Sequence, residues 1–346
     1  MFKKPNKLNI VVIGAGVIGL TSAIRLQNEL NHPSNVVLIS DILTPDTTGD
    51  GSAGLWGPFL CGRTPAEDIN RWSNATHILC KELWLKGHAE KAGICLMPVY
   101  RLTTEPQGYP APEWCHIVYG CHQLSEKQLE DLSSEHSRKY TGGHHFVSFS
   151  LEPTKFLPYL MKIFEDNGGH IIRKKISNFQ DLSMFDLIVN CTGIGAKKLA
   201  KDESVHPIRG QVSRVFAPWI FQVVLDDSDV GNYIIPNMES VVLGGTHQEG
   251  DFNRDVDDKD SEFINDGCAD IVPSLKKARM IKEWVGLRPG RYEVRLELEK
   301  INGIPVIHNY GHGGSGVTLS WGCAEDVVKY VSQYFENDSK FNKSKL

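Results

Sequence analysis

The sequence predicts an α/β fold with two sheets: one mostly parallel and covered on both faces, the other mostly antiparallel and inserted into it. Three observations predict it. An apolar run, Ile10-Val11-Val12-Ile13, leads straight into Gly14-x-Gly16-x-x-Gly19. Two later runs end in similar glycine-rich turns, Cys191-Thr192-Gly193-Ile194-Gly195 and Gly311-His312-Gly313-Gly314-Ser315-Gly316. Between those turns, Gly210 to Phe216, Asn232 to Pro236 and Val241 to Thr246 read as successive strands of a separate sheet.

The first run is β-branched and uninterrupted, the pattern of a fully buried strand. Gly14 permits a sharp turn, Gly16 lets a pyrophosphate approach the backbone, and Gly19 lets helix and strand pack closely. The helix that follows offers unpaired N–H groups and a positive dipole end to phosphates. A second strand, Asn35 to Ser40, ends at Asp41. That is about twenty residues past the last glycine, where an acid can hold a ribose hydroxyl. A lone glycine triplet also marks ordinary turns, but the order strand, turn, helix, strand, acid favours a Rossmann-like dinucleotide site. The small-residue segment from Thr44 to Gly54 follows that strand and is expected to approach the ligand.

Further on, Pro65 to Ala92 reads as one long helix with an apolar stripe through Trp72, Ile78, Leu79, Leu83 and Trp84. Cys95 to Thr104 reads as a strand and Ser125 to Ser137 as a helix, and Phe146 to Leu151 alternates like a strand. Pro153 to Asn167 is a helix ending at a glycine pair, before strands at His170 to Ile176 and Phe185 to Asn190. Residues 254–284 read as an acidic loop and helix, and a final helix runs from Val317 to about Phe335. The chain thus leaves the nucleotide layer and returns to it. We expect residues 1–60, 150–205 and 300–336 to form the nucleotide-binding domain, 61–149 and 206–299 the substrate and interface domain, and 337–346 a flexible tail.

Composition bounds the function. The chain has 346 residues, 41% hydrophobic and 23% charged, with a formal net charge of −5 and no basic block. That gives no support to a nucleic-acid or polyanionic-membrane role, and no apolar run reaches membrane-spanning length. Eight scattered cysteines include no CxxC and no zinc spacing, so buried free thiols and a reducing compartment are expected. No metal site is expected, and no nucleophile elbow or P-loop is present. The chain ends in Ser344-Lys345-Leu346, which reads as a peroxisomal import address.

Taken together, these stretches resemble the FAD-dependent D-amino-acid oxidase family over nearly the whole chain. The likeness rests on the opening Val11-Val12-Ile13-Gly14-Ala15-Gly16 run, on Ala53 to Pro58, Asn190 to Gly193 and Arg209-Gly210-Gln211, and on Tyr233 to Pro236. It continues through Leu243 to Thr246, Gly286-Leu287-Arg288-Pro289, and His308 to Thr318. It implies FAD as cofactor, oxidation of a D-amino acid by hydride transfer to the flavin, and O2 as acceptor, giving hydrogen peroxide, a 2-oxo acid and ammonia. Peroxide formation suits the import signal, so an import receptor and the peroxisomal matrix are implied. The oligomeric state stays open.

Position by position, the resemblance implies that Gly14, Gly16, Val17, Ile18, Gly19 and Asp41 bind the ADP half of FAD. Thr48, Gly49, Leu55, Ile176 and Thr192 would supply further contacts, and Gly313, Gly314, Ser315, Gly316, Val317 and Thr318 would face the flavin. Arg288 would clamp the substrate α-carboxylate with two parallel donors, Tyr233 would add a hydroxyl, and the Gly314 carbonyl would accept from the amine. Arg291 and Arg295 read as surface ion pairs.

Gly244 to Asn253 and Asn190 to Gly195 are more similar to the branch of the family that oxidises D-aspartate. There, His247 stands where the family places an arginine for the second carboxylate, and Asp226, Asp227 and Asp229 stand near the family's second arginine. Phe59 stands where that branch carries a histidine. D-Aspartate, then D-glutamate, is the expected substrate. Neutral D-amino acids or a glycine/sarcosine-type amine oxidase are the alternatives within flavoenzymes. A nicotinamide dehydrogenase and a non-catalytic nucleotide binder are the alternatives outside them.

Overall fold

The computed structural model describes residues 7–106, 109–228 and 231–337. It opens with the expected unit: β1 (Leu8–Ile13), α1 (Val17–Glu29) and β2 (Ser34–Ser40), with β2 parallel to β1 and Val11 beside Val37. Ile10, Val11 and Val12 are fully buried because both faces of the sheet are covered. The stretch expected as one helix is two, α2 (Ala66–Leu85) and α3 (Ala89–Ala92). Gly87, at φ +78°, stops the first in the left-handed conformation that glycine reaches without strain.

β3 (Ile94–Thr103), β4 (Tyr119–Gln123), α4 (Glu126–Glu135) and β5 (Gly142–Leu151) follow. α4 starts at a capping box, in which Ser125 Oγ accepts from Gln128 N and the Gln128 side chain accepts from Ser125 N. Then come α5 (Pro153–Asp166), β6 (His170–Arg173), β7 (Leu187–Asn190) and α6 (Ala196–Leu199). The long β8 (His206–Phe216) leads to β9 (Val223–Asp226), β10 (Tyr233–Pro236), β11 (Val241–Gly244), β12 (Gln248–Glu249) and α7 (Asp258–Ile271). The chain closes with β13 (Arg279–Gly290), β14 (Arg295–Ile301), β15 (Ile304–Tyr310) and α8 (Gly316–Asn337).

The first sheet has the order β14-β15-β7-β1-β2-β6 and is parallel apart from its β14 edge. The second runs β12-β8-β11-β10-β9-β3-β5-β4, with β13 also on β8, and only its β3–β9 pair is parallel. A continuous core joins them, from Ile10 and Leu20 through Trp56 to Phe149 and Phe156.

Several expectations need correction. The stretch 254–284 is not all loop and helix, since Arg279 to Trp284 begins β13. A bulge between Met280 and Lys282 breaks the period-two alternation that would have marked the strand. The return to the first sheet starts at β14, ahead of residue 300, and α2 packs on α8 although it lies in the span expected to go with the second sheet. Not all cysteines are free thiols: Cys115 and Cys121 are disulfide-bonded, with Cα atoms 5.7 Å apart. A short 3-10 turn at Glu113–His116 folds the chain back into β4 and brings the two together. Ser344-Lys345-Leu346 lies outside the described residues.

Candidate active site

A cavity of about 870 Å³ opens outside the carboxyl ends of β1, β2, β7 and β15, and β8, β10 and β13 wall its far side. The ends of parallel strands are where α/β sheets bind ligands, because the turns there are free to approach them.

On the nucleotide side, Gly14 has φ +103°, and a Cβ there would lie 2.4 Å from the Cys191 carbonyl oxygen. A Cβ on Gly19 would lie 1.8 Å from the Gly14 oxygen, so Gly19 serves the packing of α1 and does not face the cavity. Gly16 is different: a Cβ there would meet nothing within 4 Å. It caps α1 without a side-chain hydrogen bond, which leaves the first-turn N–H groups of Val17 and Ile18 directed to the cavity wall. Asp41, Thr48, Gly49, Leu55, Ile176 and Thr192 also line it, as do Gly313, Gly314, Gly316, Val317 and Thr318.

Ser315 is fully buried and does not face the cavity. Its Oγ donates to the Phe59 carbonyl (2.8 Å) and accepts from the Phe59 N–H (2.6 Å), with the Cys61 thiol donating to it at 3.1 Å. It therefore pins the segment that closes over the C-terminal turn.

The loop after β2 is held from within and from outside. Asp50 accepts from Thr44 Oγ1 (2.6 Å), Thr47 N (2.9 Å) and Thr47 Oγ1 (2.6 Å). The buried Arg214 of β8 donates to the carbonyls of Asp50 (3.3 Å) and Ser52 (2.9 Å). The Trp284 indole fills the space that side chains at Gly51 and Gly286 would need.

On the opposite side, the Arg288 guanidinium donates to the Thr246 carbonyl (2.9 Å) and lies over Gly210. Tyr233 packs flat on Gly244 and Gly245, where a Cβ on Gly244 would lie 2.4 Å from the phenol oxygen. Burial pushes the Tyr233 pKa up and the neighbouring Arg288 charge draws it back, leaving a protonated hydroxyl beside the guanidinium. Gly314 and an exposed His247 line the same space. Arg291 pairs with Asp202 at 2.9 Å, and Arg295 with Glu297 (2.6 Å) and Glu299 (2.8 Å).

A family model described as FAD dependent oxidoreductase (DAO) matches residues 9–330. The chain belongs to that family. It is 35% identical over 329 residues to D-aspartate oxidase from Homo sapiens, with 94% of each chain covered. It is 37% identical over 336 residues to D-amino acid oxidase from Dugesia ryukyuensis, covering 94% of this chain and 98% of that one. A glycine oxidase from Geobacillus kaustophilus has the same fold, with a TM-score of 0.76 at 18% identity over 94% of this chain and 95% of that one.

FAD is therefore the cofactor of this family member, and the cavity suits it. Beyond the glycine turns, Ser52 Oγ, Asn309 Oδ1 and His312 Nε2 are buried polar atoms of lining residues with no hydrogen-bond partner among the described residues, consistent with a wall that receives a polar ligand. Lys174, Lys175 and Lys198 add positive charge to the lining. Burial drives the His312 pKa down to about 3, so its imidazole is neutral.

Reading the sequence missed Arg101, Trp114 and Arg254 in the lining. None belongs to a local motif; the topology alone assembles them. It also left Asp226 and Asp227 as unmatched negative charges. In the structure Arg138 pairs with Asp226 at 2.6 Å and Arg101 with Asp227 at 2.5 Å, so neither carboxylate opposes an acidic substrate unscreened. Asp229 lies outside the described residues. Among those residues no metal-binding cluster is found, and no helix is long and apolar enough to cross a membrane.

Proposed function

We propose that this FAD-dependent oxidoreductase is an oxidase of D-amino acids that prefers acidic ones, D-aspartate first and D-glutamate next. The observation that carries the reading is the juxtaposition of Arg288 and Tyr233 on the cavity wall that also holds Gly314. A guanidinium beside a protonated phenol is a two-part receptor for one carboxylate. With the α-carboxylate on Arg288 and Tyr233, and the amine donating to the Gly314 carbonyl, one face of Cα is presented to the flavin side of the cavity. That geometry selects the D enantiomer by orientation, without a protein base at Cα. Bound FAD supplies the two-electron acceptor, which O2 reoxidises with release of hydrogen peroxide.

The acidic preference is supported by Arg254, a second guanidinium in a lining that also holds His247, and by the human relative named D-aspartate oxidase. A neutral substrate is the second reading, favoured by the apolar lining of Trp114, Phe146, Leu225 and Ile235. Anaerobic bleaching of the flavin absorbance by D-aspartate, D-alanine and L-aspartate in parallel separates them. Fast bleaching by D-aspartate is expected. Faster bleaching by D-alanine would replace the acidic reading with the neutral one, and bleaching by the L isomer alone would overturn the stereochemistry. The C-terminal Ser344-Lys345-Leu346 supports import into peroxisomes, and its deletion should leave the protein in the cytosol.

A further inference from the structure

Three arginines line the cavity, and they are not equivalent. Arg101 is committed to Asp227 and stacks against the rings of Tyr109 and Trp114. Arg288 is committed to the Thr246 carbonyl and the Tyr233 hydroxyl. Arg254 has neither a hydrogen bond nor an ion pair among the described residues, although the segment around it is rich in aspartates. Three of those aspartates are occupied elsewhere. Asp260 accepts from Arg209 (2.5 Å), Asp257 caps α7, and Asp251 accepts from the Asn253 N–H (2.8 Å).

The backbone that carries Arg254 is fastened on both sides. The buried Arg209 of β8 donates through Nε to the Asn253 carbonyl (3.1 Å) and through Nη2 to the Asp255 carbonyl (2.8 Å). Gln211, two residues along β8, donates to the Asp257 carbonyl (2.9 Å) and accepts from the Asp257 N–H (2.9 Å). Gly210, between them, faces the other side of the strand and underlies Arg288. One strand therefore supports both arginines, the Arg288 guanidinium over Gly210 and the Arg254 backbone through the side chains of Arg209 and Gln211. These bonds fix the backbone from which the Arg254 side chain reaches the cavity lining.

We propose that Arg254 is the specificity-determining residue for acidic substrates: it receives the side-chain carboxylate of a D-amino acid whose α-carboxylate rests on Arg288. This rests on the acidic reading above and assigns the second cation to Arg254 rather than to His247. A guanidinium is charged at every working pH, whereas an imidazole is a cation only when protonated.

The test compares Arg254→Ala, Arg254→Lys and His247→Ala holoenzymes with the wild type. In Arg254→Ala the D-aspartate to D-alanine ratio of kcat/KM should fall about tenfold, the order of one charge-assisted hydrogen bond. Arg254→Lys should restore most of it. The malonate dissociation constant, read from the flavin absorbance shift, should rise about tenfold in Arg254→Ala relative to that of propionate. If the wild type favours D-aspartate and Arg254→Ala keeps both ratios, the assignment to Arg254 falls while the acidic reading stands. Loss of the ratio in His247→Ala alone would give the role to His247. A wild type that favours D-alanine would overturn the acidic reading and this assignment with it.

Discussion

Gly210 of β8 lies directly beneath the Arg288 guanidinium, where a Cβ would fall 2.3 Å from Nη1 and 2.5 Å from Nη2. The atoms it would strike are the far end of a flexible side chain, so the fold can yield at small cost. The clamp cannot. Gly210→Ala is expected to fold, bind FAD and melt close to the wild type, yet lose on the order of 100-fold in kcat/KM. A misplacement of about 1 Å in a substrate-orienting group is enough for that. Steady-state kinetics with flavin content measured on the same sample checks it. A variant with wild-type kcat/KM would show that Arg288 does not orient the substrate.

Arg214 makes the loop after β2 depend on the second sheet. Its guanidinium bonds the carbonyls of Asp50 and Ser52 and also Asn237 Oδ1 at 3.2 Å. Arg214→Gln is expected to raise the FAD dissociation constant about tenfold or more, since hydrogen bonds to a charged donor each contribute roughly 1.5–3 kcal/mol. Titrating the apoprotein with FAD and following flavin fluorescence gives the number directly. Unchanged affinity would mean that the loop keeps its shape through Asp50 and Thr47 alone.

Where the chemistry lies on local motifs, the sequence discloses it. The glycines after β1, the Asp41 that follows β2 and the C-terminal glycine turn reach the cavity because strand, turn and helix follow one another along the chain. Gly19 and Ser315 belong to the same motifs but act on the fold, Gly19 by packing and Ser315 by hydrogen bonds to Phe59, a distinction that only spatial neighbours reveal. The substrate side is less legible. Arg101 and Arg254 come from β3 and from the loop after β12, and no spacing in the chain encodes their place in one lining. The bulge in β13 hides a strand for another reason: one extra residue shifts the phase that pattern reading relies on.

Stability should fall as the pH is lowered through the histidine range. Burial among the rings of Trp56, Tyr119 and Phe149 drives the His77 pKa down to about 4, and burial takes His312 to about 3. Unfolded histidines take up a proton near pH 6.5. Between that value and the depressed folded values the unfolded chain binds more protons, so stability rises with pH and is lost on acidification. Tm measured from pH 8 to pH 4.5 should decline below about pH 6.5. His77→Leu should flatten the decline, with its deficit relative to the wild type shrinking at the acid end. Parallel curves for the two proteins would remove His77 as a cause.

The disulfide gives a prediction that is independent of catalysis. Cys115 and Cys121 are bridged, while Cys61, Cys80, Cys95, Cys191, Cys268 and Cys323 are free. Protein denatured without reductant should therefore show two reactive thiols fewer than the eight cysteines of the sequence, and full reduction should restore them. The bridge closes a loop only six residues apart, so the chain-entropy account gives it the small end of the usual range, about 2 kcal/mol. It also abuts Trp114, which lines the cavity and packs edge-on against Trp56 (5.7 Å) and Phe146 (5.3 Å). Cys115→Ser with Cys121→Ser should thus lower the melting temperature by a few degrees and raise KM more than it lowers kcat. An oxidised protein in which all eight thiols react would remove the bridge and both consequences.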